Sequence, residues 1–131
     1  MTTIFNRTSI LQLTNKSGGA LAKGAVVIVD TANASSVTTI ATERILNGII
    51  GVVVDETIAN NSAGAIAFGG WVPKINLISS ASLGDFVITY SGAGLGTPVT
   101  SIGFVPSGSF GQVLQTGTNP ECLLFGVPHR K

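Results

Sequence analysis

Residues 48–72 read GIIGVVVDETIANNSAGAIAFGGWV, and few folds can accept them. Valine and isoleucine crowd each run, glycine interrupts every one, and ANNSAG is a turn by composition. A helix of that length would need straight-chain formers such as Leu, Glu, Lys and Gln, which are sparse here. The pieces are too short for anything but β-strands. IIGVVVDE is apolar at both odd and even positions, so this strand is expected to be buried on two faces.

The rest of the chain follows the same pattern. SILQLTN alternates apolar and polar residues as a half-buried strand does, and NKSGG turns after it. ALAKGAVVIVD and SSVTTIAT supply the next β-rich runs, and ERILNG is a loop or one turn of helix. AIAFGGWVPKI is a strand broken by Gly69, Gly70 and Pro73. GDFVITYSG alternates, with Phe86, Ile88 and Tyr90 on one face and Val87 and Thr89 on the other. PVTSIGFVPSG, GQVLQTG and ECLLFGV complete the set. The expectation is an all-β chain, a small β-barrel, tulip or sandwich of about eight to ten short strands with little or no helix.

There is an internal echo. KGAVVIVD resembles GDFVITYS some 60 residues on, and IIGVVVDETIANNSAGAIAFGG resembles SIGFVPSGSFGQVLQTGTNPECLLFG at an offset of 52. A degenerate duplication and a mere likeness of composition both fit. The I-G-[VF]-V match sets Gly51 against Gly103 and predicts two bent strands, since glycine inside a strand marks a bend or a close approach.

Composition narrows the functional classes. Only 10% of residues are charged and 44% are hydrophobic, with a mean hydropathy of +0.50. Disorder is excluded, and so few ions repel neighbouring copies only weakly, which favours assembly. At a net charge of +1 the chain lacks the basic cluster that nucleic acid requires. No apolar run reaches the length of a membrane helix. MTTIFNRTSI lacks the layout of an export signal, so the Asn-x-Ser/Thr triplets at Asn6, Asn15, Asn33 and Asn60 read as chance. At 131 residues one domain is expected: an extended arm over 1–8, a β domain over 9–127 and a short basic tail over 128–131.

Chemistry has little to work with. The single histidine, His129, stands in the terminal PHRK, away from any rigid frame that a catalytic triad would need. Asp55 and Glu56 are adjacent and point apart on a strand, so they make no carboxylate pair. Asp30, Asp55 and Asp85 sit at strand ends, where aspartate caps turns. Cys122, the only cysteine, reads as a small buried hydrophobe. SGAGLG lacks both the P-loop and the dinucleotide pattern and predicts a turn. No enzyme activity, cofactor, metal or small-molecule substrate is expected. Trp71, beside two glycines and a proline, is either core or an anchor at a subunit contact.

The segments LTNKSGGALAKGAVVIVD, IIGVVVDETIANNSAGAIAFGGWV, SLGDFVITYSGAGL, VTSIGFVPS and CLLFGV, in that order, resemble small β-domains of tailed-phage virions. The likeness covers residues 13–127 through permissive glycine, valine and threonine spacings. Collar and fibre modules share them with head decoration (cement) proteins, and a short chain without fibre repeats resembles the latter most. That resemblance implies a homotrimer on the capsid exterior, bound to the major capsid protein and stapling neighbouring shell subunits. The alternative it leaves is a tail, collar or fibre module that binds a receptor or glycan. Thr2, Thr3, Ile4, Phe5, Asn6 and Arg7 are expected to form an arm that joins a partner's sheet edge or the shell by strand addition.

Overall fold

A computed structural model describes residues 10–40, 48–91, 94–100, 103–125 and 127–128. The described residues form strands and turns without a helix. The strands are β1 (Ile10–Asn15), β2 (Leu21–Ala22), β3 (Val26–Val29), β4 (Ser36–Thr39), β5 (Ile50–Val53), β6 (Thr57–Ile58), β7 (Ala63–Ala67), β8 (Phe86–Thr89), β9 (Gly96–Val99), β10 (Gly111–Val113) and β11 (Cys122–Leu124). Five of them close a barrel in the order β1-β4-β3-β5-β7. A second sheet runs β11-β10-β8-β9, and β2 pairs with β6.

Alternation within the barrel strands explains the doubly apolar pattern of the sequence. Val27, Val53 and Ile66 join Leu21, Val37, Ile58 and Phe68 in one buried cluster. Their neighbours Val26, Val52 and Ala67 belong to another, shared with Val87, Val113, Cys122 and Leu124 of the second sheet. One parity thus fills the barrel and the other cements it to the second sheet, as the period of two demands. A five-stranded barrel is narrow, and Gly51 shows how narrow. A Cβ built there would lie 2.6 Å from Ile66 Cγ2 and 2.7 Å from Phe68 Cε1.

The internal echo is real in the fold, with a corrected alignment. Order β4-β3-β5-β7 in the barrel is matched by β9-β8-β10-β11 in the second sheet. Val27 lies opposite Gly51, and Val87 lies opposite Gly111, each residue 60 positions on. Gly24 N–H donates to the Val53 carbonyl at 2.8 Å, and Gly84 N–H donates to the Val113 carbonyl at 3.0 Å. Both glycines have φ of +90°, the left-handed conformation that lets the chain turn tightly into β3 and into β8. The place of β1 is taken by residues 70–78. This segment runs antiparallel to β11, through Leu124 N–H to Trp71 O and Cys122 N–H to Pro73 O, and meets β9 in parallel at Leu77 opposite Gly96. β1 likewise pairs antiparallel with β7 and parallel with β4. Pro73 brings no N–H to this pairing, so the second unit closes by isolated bridges rather than a full strand.

The match of Gly51 with Gly103 is therefore overturned. Gly103 has φ of +107° in a bend outside every strand, and a Cβ there would meet nothing within 4 Å. GFVPS in PVTSIGFVPSG forms no strand, so β9 ends at Val99. The expected alternation of β8 between two faces holds, but both faces are buried. Residues 41–47 of the ERILNG region lie outside the described residues.

Candidate interaction surface

Among the described residues, Asp30, Asp55 and Asp85 serve turns and strand ends. Asp30 accepts from Ala32 N–H and from the Asn33 side-chain amide, each at 2.8 Å. The Asn33 amide first, and then Ala32 N–H, hold its carboxyl below the usual value of 3.8. Asp55 accepts from Ala65 N–H at 2.9 Å, and Asp85 from Ser82 N–H at 2.9 Å. All three aspartates cap turns or strand ends, as expected. Lys23 and Glu56 form an exposed ion pair at 3.8 Å, a type that contributes little. Among the described residues no three His, Cys, Asp or Glu side chains come together to hold a metal. His129 lies outside the described residues.

Cys122 is fully buried inside the second unit, and burial pushes its thiol up to about 12. Its nearest polar partner is the Pro120 carbonyl at 3.5 Å. Native protein is expected to leave this thiol unreacted with an aromatic disulfide reagent. One equivalent should react once denaturant is added. Rapid reaction in buffer would show that the second unit opens locally.

The fold also leaves a set of large apolar side chains exposed. Among the described residues, the large exposed hydrophobics other than Leu11, Val29 and Ile49 lie in the second unit and its tail. Leu11, Val29 and Ile49 border a groove of about 330 Å³ at one end of the barrel, floored by Leu13 and Phe68. In the second unit, register sets Leu123 opposite Gln112 and Gln112 opposite Phe86. The bonds that flank it place Val72 opposite Leu123 on the other side. Val72, Leu123, Gln112 and Phe86 therefore form one row across the outer face of the sheet. Phe125 continues the face, its ring centroid 6.2 Å from that of Phe86. Leu123 is 39% exposed and Val72 40%.

Trp71 stands at the edge of this row and is 37% exposed, so it is not a core residue. Its N–H donates to the Phe68 carbonyl at 3.2 Å. Thr2, Thr3, Ile4, Phe5, Asn6 and Arg7 lie outside the described residues. Sequence reasoning missed Leu123 and Phe125, although ECLLFGV carries the signal. A strand with one face in the core should be polar on the other, and this one is apolar on both. No protein-family model matches the chain, and no curated protein matches it.

Proposed function

We propose that this chain is a virion structural protein, a cement protein that binds the outside of a phage capsid as a homotrimer. It stabilises the shell by bridging neighbouring copies of the major capsid protein. The single observation that supports this most is the division of labour among its side chains. Among the described residues Asp30, Asp55 and Asp85 cap turns or strand ends, while large apolar side chains are exposed along one sheet face. Such a body works by shape and adhesion rather than by bond chemistry, and it needs no cofactor. The resemblance of its sequence to phage decoration domains supports the capsid exterior as the surface it adheres to. Several weak contacts held on one rigid oligomer become a strong grip through effective concentration.

The arm at residues 1–8 belongs to this reading, as a strand donated to the shell or to a neighbouring subunit. The test is to mix purified protein with undecorated heads and measure occupancy and the temperature at which heads rupture. Saturable binding with a raised rupture temperature is the expected result. Deleting residues 1–8 should lower occupancy or trimer mass. Heads that bind none of the full-length protein would end the proposal, and binding to whole cells or glycans instead would favour the tail-module alternative.

A further inference from the structure

The two units carry the same cross-strand row in two different states. In the first unit, register links Ile10 to Ala67, Ala67 to Val52 and Val52 to Val26. In the second, the corresponding row is Val72, Leu123, Gln112 and Phe86. Val26, Val52 and Ala67 are 0–1% exposed, because they share a buried cluster with the second unit, and Ile10 packs against it. Val72, Phe86 and Leu123 take no part in that cluster. The chain thus covers this face of its first unit with its own second half, whereas on the equivalent face of the second unit Val72 and Leu123 are exposed and only Phe86, beside Phe125, is buried.

We propose that a second copy of this chain covers that open face, making it the subunit contact of the assembly. Three of the four positions in the row are apolar, and Leu114 and Phe125 extend it. At its margin Lys74 and Glu121 face each other across the strands as a pair of opposite charge, so two copies meet there without net repulsion. The row is roughly 14 Å wide at the usual strand spacing, enough to seat a central apolar anchor. Phe68 and Leu124 stand at matching places inside their units. On the outer face the units differ, since register sets the larger Leu123 where the first unit has Ala67. A larger side chain is what an outward contact across a subunit boundary requires. The inference deepens the homotrimer reading by locating its contact, but it concerns the isolated protein. Its failure would leave shell binding by a single chain standing.

The experiment is light scattering on purified full-length protein over a wide dilution series. Wild type should show a multiple of 13.3 kDa that falls to a single chain on dilution. Leu123→Glu should weaken self-association on the order of 100-fold, while Leu11→Glu, on the first unit, should leave the mass unchanged. Gln112→Lys, a polar exchange at a half-buried position, carries the test if Leu123→Glu fails to fold. Melting curves of the dissociated variants, matched to dilute wild type, show that they are folded. A wild type that is a single chain at every concentration would overturn the proposal. So would both folded variants keeping the wild-type mass, or a face that is protected only when heads are added. A dimer in place of a trimer would support the contact while removing the trimer.

Discussion

Asn15→Ala should lower the stability of the protein by roughly 3 kcal/mol, read as a shifted urea midpoint at unchanged slope. Asn15 is fully buried at the end of β1. Its Nδ2 donates to the Ile58 carbonyl at 2.9 Å and to the Gly19 carbonyl at 2.8 Å. Its Oδ1 accepts from the Ser17 N–H at 2.9 Å and the Ser17 hydroxyl at 2.7 Å. One side chain thus ties the NKSGG turn to β6, and β6 pairs with β2. Alanine would leave the buried Ile58 carbonyl without this partner, and each such loss costs about 1–3 kcal/mol. The bonds to Gly19 and Ser17 are nearer solvent, so water recovers part of their value. A melting temperature lower by roughly 10 °C should accompany the change.

Asn15→Asp makes the same point through pH. A carboxylate there would face two carbonyl oxygens, so the folded state would raise its pKa. A group with a raised folded pKa is most destabilising where it must be charged. The deficit against wild type should therefore be largest at neutral pH and shrink as pH falls from the raised folded value toward the unfolded value of ~4. A loss below about 1 kcal/mol for Asn15→Ala would show that the turn holds without this side chain.

The second large effect is expected at Gly51. Gly51→Val should cost roughly 3 kcal/mol or abolish folding, because overpacking a closed interior forces side chains off their rotamers or moves strands. The clash is with Ile66, fully buried in β7, and with the ring of Phe68, so Ile66 cannot retreat and Phe68 could shift only toward the groove it floors. Gly103→Ala is the contrast. Nothing lies within 4 Å of the added carbon, and the cost is only the strain of φ at +107°, about 1–2 kcal/mol. Equal losses at the two positions, in denaturant melts, would refute the narrow-interior account. Gly111 is the true counterpart of Gly51 in register, yet its constraint differs: a Cβ there would lie 2.9 Å from the backbone oxygen of Leu123. Gly51 makes room for side chains and Gly111 for a neighbouring strand.

These contrasts mark the limit of local reading. The two glycines in I-G-V-V and I-G-F-V look alike along the chain. Only pairing shows that one faces a crowded interior and the other sits in an open bend. Likewise the buried role of Asn15 left no trace beyond a chance triplet, because its partners at Gly19 and Ile58 are set by tertiary closure. Trp71 was legible as either core or contact, and its exposure removes the first.

The sequence by itself determined the all-β class, the position of most strands, the turn-capping aspartates and the burial of Cys122. Those follow from side-chain period, β-branching and turn chemistry, which act over a few residues. Tertiary structure alone decided which strands close the barrel and how the second unit repeats the first in register. It also decided which of two equivalent sheet faces is covered and which is left open. Such choices depend on contacts between residues far apart in sequence, and a period of two states only that a strand has two faces, not what will lie against each.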